Sequence, residues 1–395
     1  MTQISSPFVV KNQTFKNRLV KSAMSEDLSR KGIPSDNLIS LYQSWAKGGA
    51  AMLITGHIMI DDTYKSEPGN VTLKKGQNLD MFTKWAQVVK QENCLLWGQL
   101  NHPGRQVMAK LNGRTVAPSA VRVKIAGEKI FQTPIALSED EIETLIEKFG
   151  DAAFMLKQAG FSGVQIHGAH GYLVSQFLSP LSNIREDKWG GSLENRSRFL
   201  VEVYNNIRKK VGSDFPIGVK LNSADFQKGG FSNEESLEVI KSLEEIGIDL
   251  IEISGGTYER SAMMGDFKKD STQKREAYFL DFAKQVKKAT TVPLLVTGGF
   301  RTKAFMNQCL ENKDLDLVGA ARPYCLYPNF PNQMISGESE TVELPKYNFE
   351  FQKKLDIFCY GSYLRTLSKG KTPKPKTSIF DSIQLILNTF VLHKK

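Results

Sequence analysis

Residues 164–172 read Val-Gln-Ile-His-Gly-Ala-His-Gly-Tyr. Two imidazoles and a phenol spaced by glycine and alanine are not the composition of a core strand. His167 and His170 can hydrogen-bond an oxygen on which charge builds, and Tyr172 can deliver a proton. The histidines stand three residues apart, with no H-E-x-x-H glutamate and no carboxylate close behind, which argues against a metal site. A satisfied structural histidine pair is the plain alternative.

Two glycine-bearing segments follow late in the chain. They are Val296-Thr297-Gly298-Gly299-Phe300 and Val318-Gly319-Ala320-Ala321-Arg322-Pro323. Small residues let backbone N–H groups approach an anion, and Arg322 adds a forked cation. Gln99, in Gly98-Gln99-Leu100-Asn101-His102-Pro103-Gly104-Arg105, offers both a donor and an acceptor to an amide-like edge. Its alternative is a buried glutamine that satisfies backbone. Gly370-Lys371-Thr372 ends like a phosphate-binding loop, but position 365 is Arg, so that reading is set aside.

These residues need elements to hold them. Short apolar runs occur at Arg18–Met24, Ala50–Thr55, Cys94–Leu100, Gly163–His167, Ile217–Leu221, Asp249–Ile253, Pro293–Thr297 and Leu315–Val318. Helical patterns separate them at Asp80–Lys90, Glu139–Gln158, Leu193–Lys210, Asn233–Glu245 and Tyr278–Lys288. Ser138 with Glu141, and Ser232 with Glu235, fit the capping box. Eight alternations predict a (β/α)8 TIM barrel, with a long doubly wound sheet as the alternative. No G-x-G-x-x-G follows the first strand, which weakens the sheet. In a barrel, His167 stands at the C-terminal end of strand four, and the glycine segments follow strands seven and eight, where phosphate sites form. Residues 112–133 predict a hairpin cap after strand three.

The 395 residues are 41% apolar and 24% charged, an ordinary globular balance. The net charge of +10 raises nucleic acid or an anionic surface as partners, but the basic residues are spread out and accompany no nucleic-acid module. Beyond about residue 335 the alternation stops, giving a division into 1–335 and a 336–395 extension. That extension carries ten Lys and Arg against six Asp and Glu. Lys369, Lys371, Lys374 and Lys376, with Pro373 and Pro375, predict an exposed basic linker. Ile379, Ile383, Ile386, Leu387 and Phe390 form one helical stripe beyond it, expected to pack on the barrel or a second subunit, with a membrane surface as the sharper reading. Cys94, Cys309, Cys325 and Cys359 form no C-x-x-C pair, which speaks against iron–sulfur and zinc sites and for reduced thiols. With neither a signal peptide nor a long apolar span read, the expected location is cytoplasmic.

Over about residues 5–335 the chain resembles the old yellow enzyme family of FMN-dependent ene-reductases, in its single-domain form. The resemblance rests on Asn17-Arg18-Leu19-Val20-Lys21-Ser22-Ala23-Met24, Gln99–Arg105, Ala117-Pro118-Ser119 and His167–Tyr172. It continues through Leu178-Ser179-Pro180-Leu181-Ser182-Asn183-Ile184-Arg185 and Gly190-Gly191-Ser192-Leu193-Glu194-Asn195-Arg196. It implies FMN across the top of the barrel, bordered by Ala23, Met24, Ser25 and Gly56, with Gln99 at the pyrimidine edge. Gly299, Ala321 and Arg322 would hold the phosphate, with Gly298 and Gly319 shaping those turns. His167 and His170 would bind the activating oxygen of an α,β-unsaturated substrate, and Tyr172 would be the proton donor. NADH or NADPH would supply hydride in a ping-pong exchange through flavin N5.

Three positions depart from the family pattern. Lys220 stands where an arginine is usual, which keeps the charge but loses the fork. Ser25 replaces a threonine or cysteine, and Asp27 a pocket-closing tyrosine. Rival readings are a flavin-dependent dehydrogenase or demethylase, a flavin-free barrel hydrolase or lyase, and an anion- or membrane-binding protein using the basic tail. The oligomeric state stays open.

Overall fold

Runs of β-branched and other apolar residues form the strands here, in a computed structural model that describes residues 2–107, 111, 113–125, 131–260, 276–345 and 356–375, the first three of the last segment by backbone only. In chain order the strands are β1 (Phe8–Val10), β2 (Gln13–Phe15), β3 (Leu19–Lys21), β4 (Met52–Met59), β5 (Val71–Thr72), β6 (Leu95–Asn101) and β7 (Val116–Ala117). There follow β8 (Ile135–Ala136), β9 (Gly163–Gly168), β10 (Ile217–Asn222), β11 (Leu250–Ser254), β12 (Leu294–Thr297) and β13 (Leu317–Ala320). Strands β3, β4, β6, β9, β10, β11, β12 and β13 pair in parallel, and β13 closes back on β3. The fold is the expected (β/α)8 barrel, and each predicted run supplies one barrel strand.

Helices cover the outside. Ser138–Glu141 and Ser232–Glu235 both form complete capping boxes, at helices Glu139–Gln158 and Asn233–Glu245. Each box satisfies backbone N–H groups that a helix start leaves without partners.

Side chains alternate across each strand, so the barrel interior fills in layers. The lowest layer is apolar and contains Val20, Met52, Ile54, Trp97, Leu250, Leu295 and Leu317, plugged from below by Val10 and Phe15 of the β1–β2 hairpin. Two residues further along the strands the layer turns polar, with Ser22, Gln99, Gln165, Lys220, Glu252 and Thr297. Trp97 occupies room left by glycines, since a Cβ at Gly163 or Gly218 would come within 2.6 or 2.9 Å of its ring.

The cap after β6 differs from expectation. The ladder lies between β7 and β8 and is parallel, so these two strands do not form the expected hairpin. Parallel pairing requires a long return connection that a tight turn cannot supply. The extension also contributes a helix, Asp356–Leu367, that the sequence pattern did not delimit. Its Cys359, Tyr363, Leu364 and Leu367 are buried in the main core, against helices Asp36–Lys47 and Arg322–Leu326. Lys369, Lys371 and Lys374 are exposed, whereas Pro373 is buried. Lys376 and the stripe from Ile379 to Phe390 lie outside the described residues. Among the described residues no helix is long and apolar enough to cross a membrane.

Trp97 is fully buried at the barrel floor. Trp97→Ala is expected to lower unfolding stability by about 3–5 kcal/mol, because the surrounding strands cannot collapse into the void. A urea midpoint shift at unchanged slope would report it.

Candidate active site

The C-terminal ends of the strands form an open mouth. Strand interiors are buried, but Ala23, Met24, Ser25, His57, His170, Gly298, Gly299, Ala321 and Arg322 become partly exposed just past or near the strand ends. Backbones of small residues therefore line an accessible face above the polar layer.

His167 ends β9 pointing into this mouth, and the chain then turns sharply. His170 and Gly171 are both left-handed, at φ 61° and 76°. At Gly171 a Cβ would also press within 2.6 Å of Gln106 Oε1, and Gln106 Nε2 donates to the His170 carbonyl at 3.0 Å. Only glycine combines that backbone with that clearance. Tyr172 then sits at the N-cap position of helix Leu173–Leu178 without using its side chain as a cap, so its phenol reaches elsewhere.

These turns gather the three predicted residues. The His167 and His170 rings lie 5.1 Å apart nearly edge-on, and the Tyr172 ring is 4.9 Å from His167. His170 Nε2 lies 2.7 Å from Ser254 Oγ, and its backbone N–H donates to Asn222 Oδ1. His167 Nδ1 is buried without a hydrogen-bond partner among the described residues. Burial holds the imidazoles of His167 and His170 far below the usual histidine range, reinforced by neighbouring histidine and Lys220 charge, so both are neutral at pH 7. Burial pushes the Tyr172 phenol well above its usual value, keeping it protonated.

Below them runs a continuous polar network. Gln99 Nε2 donates to Gln165 Oε1 at 2.8 Å, and Gln165 Nε2 donates to Glu252 Oε2 at 2.7 Å. Glu252 Oε1 accepts from Lys220 Nζ at 3.0 Å and from Thr297 Oγ1 at 2.6 Å. Gly319 belongs to this layer more than to the rim, because a Cβ there would collide with the Thr297 and Ser22 hydroxyls. Ser25 Oγ donates to the Glu67 carboxylate, whose pKa burial pushes up to about 7. Gly56 packs its bare Cα against Glu26 and the Met24 carbonyl. Asp27 Oδ1 accepts from the Gly69 N–H, tying two mouth loops together.

Sequence reasoning missed several neighbours. His57 stacks on His167 at 5.4 Å and 12°, and Tyr172 meets it edge-on at 4.9 Å. A register shift between Ile54 and His57 inserts a bulge that re-aims this strand end. Gln165 and Glu252 were visible as polar residues inside otherwise apolar strands. Tyr258, whose oxygen lies 2.7 Å from that of Tyr172, is 86 residues away and left no local signal.

Neutral imidazoles, a protonated phenol and a small-residue rim thus surround one barrel mouth. The sequence profile of the NADH:flavin oxidoreductase / NADH oxidase family matches residues 3–340, and the chain belongs to that family. It is an NAD(P)H-dependent flavin oxidoreductase of the old yellow enzyme type. The NADH-dependent flavin oxidoreductase nadA of Aspergillus parasiticus is 36% identical over 344 residues, spanning 83% of this chain and 77% of that one. The NADH-dependent flavin oxidoreductase iliE of Hypocrea jecorina is 37% identical over 363 residues, spanning 84% and 90%. The structure of a 2-naphthoyl-CoA reductase superposes with TM-score 0.80 at 29% identity, over 86% of this chain and 53% of that longer chain. Morphinone reductase, at 21% identity and TM-score 0.73 over 87% and 92%, shares the fold.

His102 offers a measurable consequence of this burial. It is 1% exposed, and burial lowers its pKa to about 3. An unfolded histidine titrates near ~6.5, so between these values the unfolded chain binds the extra proton and stability falls as pH drops. His102→Gln is expected to remove about 2–3 kcal/mol of the stability loss between pH 6.5 and 4.5. Urea titrations of both proteins at those two pH values would measure it.

Proposed function

We propose that the chain binds FMN on the C-terminal face of the barrel and reduces alkenes activated by a neighbouring carbonyl, using NAD(P)H. The observation that carries this reading is the cluster of His167, His170 and Tyr172 around an unpartnered, buried His167 Nδ1. An unsatisfied buried polar atom costs about 1–3 kcal/mol, which a ligand oxygen accepting from it would recover.

The residues present fit a flavin phosphate. Ala23, Met24 and Gly56 would leave a flat ring unobstructed, while Ser25, Gln99 and Lys220 provide polar groups toward its heteroatoms. Gly298, Gly299, Ala321 and Arg322 would hold the phosphate, with Gly319 keeping the last strand clear of the polar layer. Bound FMN would supply the two-electron hydride chemistry that links the nicotinamide to the alkene.

The geometry supports the following roles for the protein's own residues. His167 and His170 are neutral donors to the substrate carbonyl, and their hydrogen bonds strengthen as negative charge builds there. Being preorganised, they need no rearrangement at that moment. Tyr172 holds a proton at neutral pH and delivers it to the α-carbon, so the substrate gains one hydride and one proton.

Tyr172→Phe is expected to slow the alkene half-reaction by ~10²–10⁴-fold, the usual contribution of a positioned acid. Flavin reduction by NAD(P)H should keep its rate, and equal slowing of both phases in stopped-flow traces would refute the assignment. Para-substituted phenols should bind the oxidised holoenzyme with a long-wavelength charge-transfer band. That band should be absent from a His167→Ala, His170→Ala double variant, and its persistence would remove the pair from the oxygen site.

A further inference from the structure

A proton leaving Tyr172 creates a charged oxygen in a side chain that is only 4% exposed, a situation that needs a donor close by. The phenol of Tyr258 is hydrogen-bonded to that of Tyr172, with the two oxygens 2.7 Å apart and the rings 5.8 Å apart, a contact in which either hydroxyl can donate. Tyr258, taken as a whole residue, is partly exposed.

The loop after β11 holds Tyr258 firmly. Thr257 and Arg260 bridge across it in both directions. Gln227 Nε2 donates to Thr257 Oγ1 at 3.0 Å. Glu259 is clamped by Arg105 Nη2 at 2.9 Å and by the Lys124 N–H at 2.6 Å. The Phe131 ring packs 6.3 Å away on the other side. These contacts hold in place the turn that carries Tyr258. Glu67, His57 and His167 are the other titratable groups facing the two phenols.

We infer that Tyr258 is a positioning residue for the proton step: it donates to the Tyr172 oxygen and passes its own proton across as the Tyr172 proton leaves. This rests on Tyr172 being the donor. A C–H bond forms at the alkene α-carbon while the Tyr172 O–H bond breaks. In the same step the Tyr258 O–H bond breaks as a new one forms on Tyr172, and solvent water afterwards returns a proton to Tyr258. No electrons pass between the two rings. Two protons are therefore in flight in one step, where an isolated donor would move one. Burial holds Tyr258 at about 12, so it enters the step protonated.

The test is stopped-flow oxidation of the reduced holoenzyme by cyclohexenone in mixtures of H2O and D2O. For the wild type, the rate is expected to fall along a bowed curve with deuterium fraction, the signature of two moving protons. Tyr258→Phe should slow this phase about tenfold or more, the size of one hydrogen bond to a charged oxygen. It should straighten the curve and leave flavin reduction by NAD(P)H unchanged. A Tyr258→Phe variant with the wild-type rate, or with the bow retained, would overturn the relay. A Tyr172→Phe variant that keeps the wild-type rate would instead overturn the donor assignment, and the relay with it.

Discussion

The buried ion pair between Lys220 and Glu252 is the constraint around which the rest of the barrel is arranged. Both side chains are nearly inaccessible, at 3% and 0%. Removing one partner of such a pair typically costs about 3–5 kcal/mol, because the other charge is left without compensation. Glu252 is satisfied at both oxygens by Lys220, Thr297 and Gln165, and Gln165 passes the chain of hydrogen bonds on to Gln99. Five strands are joined by this one network. It separates a dry floor, where Trp97 fills the barrel, from a mouth open to ligand.

That separation explains why the mouth has its chemistry. Lys220 is paired in register with His167 on the neighbouring strand and disfavours protonation of the imidazoles, adding to burial. Neutral histidines can donate to a carbonyl without already carrying the charge of a tight anion site. The same histidines are held in place by an awkward backbone, with consecutive left-handed residues at His170 and Gly171. Such conformations persist where surrounding packing fixes them, here by Gln106, Asn222 and Ser254. A third imidazole, His57, enters because a bulge in β4 shifts the pleat at the strand end.

The barrel was legible because its signals are local. Alternating runs, capping serines and glycine-rich strand ends each report on a few neighbouring residues, and all eight barrel strands lie where those signals put them. His167, His170 and Tyr172 were legible for the same reason, being packed into one turn. The cap was misjudged because short strand-like pieces do not carry their pairing direction. β7 and β8 meet in parallel through tertiary placement. Gly319 was expected to shape the turn after the last barrel strand, and its bare Cα also leaves room for the Thr297 and Ser22 hydroxyls, which its neighbours in sequence do not reveal.

The sequence by itself determined the fold class, the family resemblance and the three residues at the end of β9 and on the turn after it, since periodicity and contiguous motifs survive without coordinates. Tertiary structure alone decided which distant residues share their mouth. Tyr258 meets Tyr172 across 86 residues, Glu252 meets Lys220 from the next strand, and His57 stacks on His167 from β4, two strands away around the barrel. Those contacts arise from barrel closure, which brings strand ends together in a ring whatever their separation along the chain.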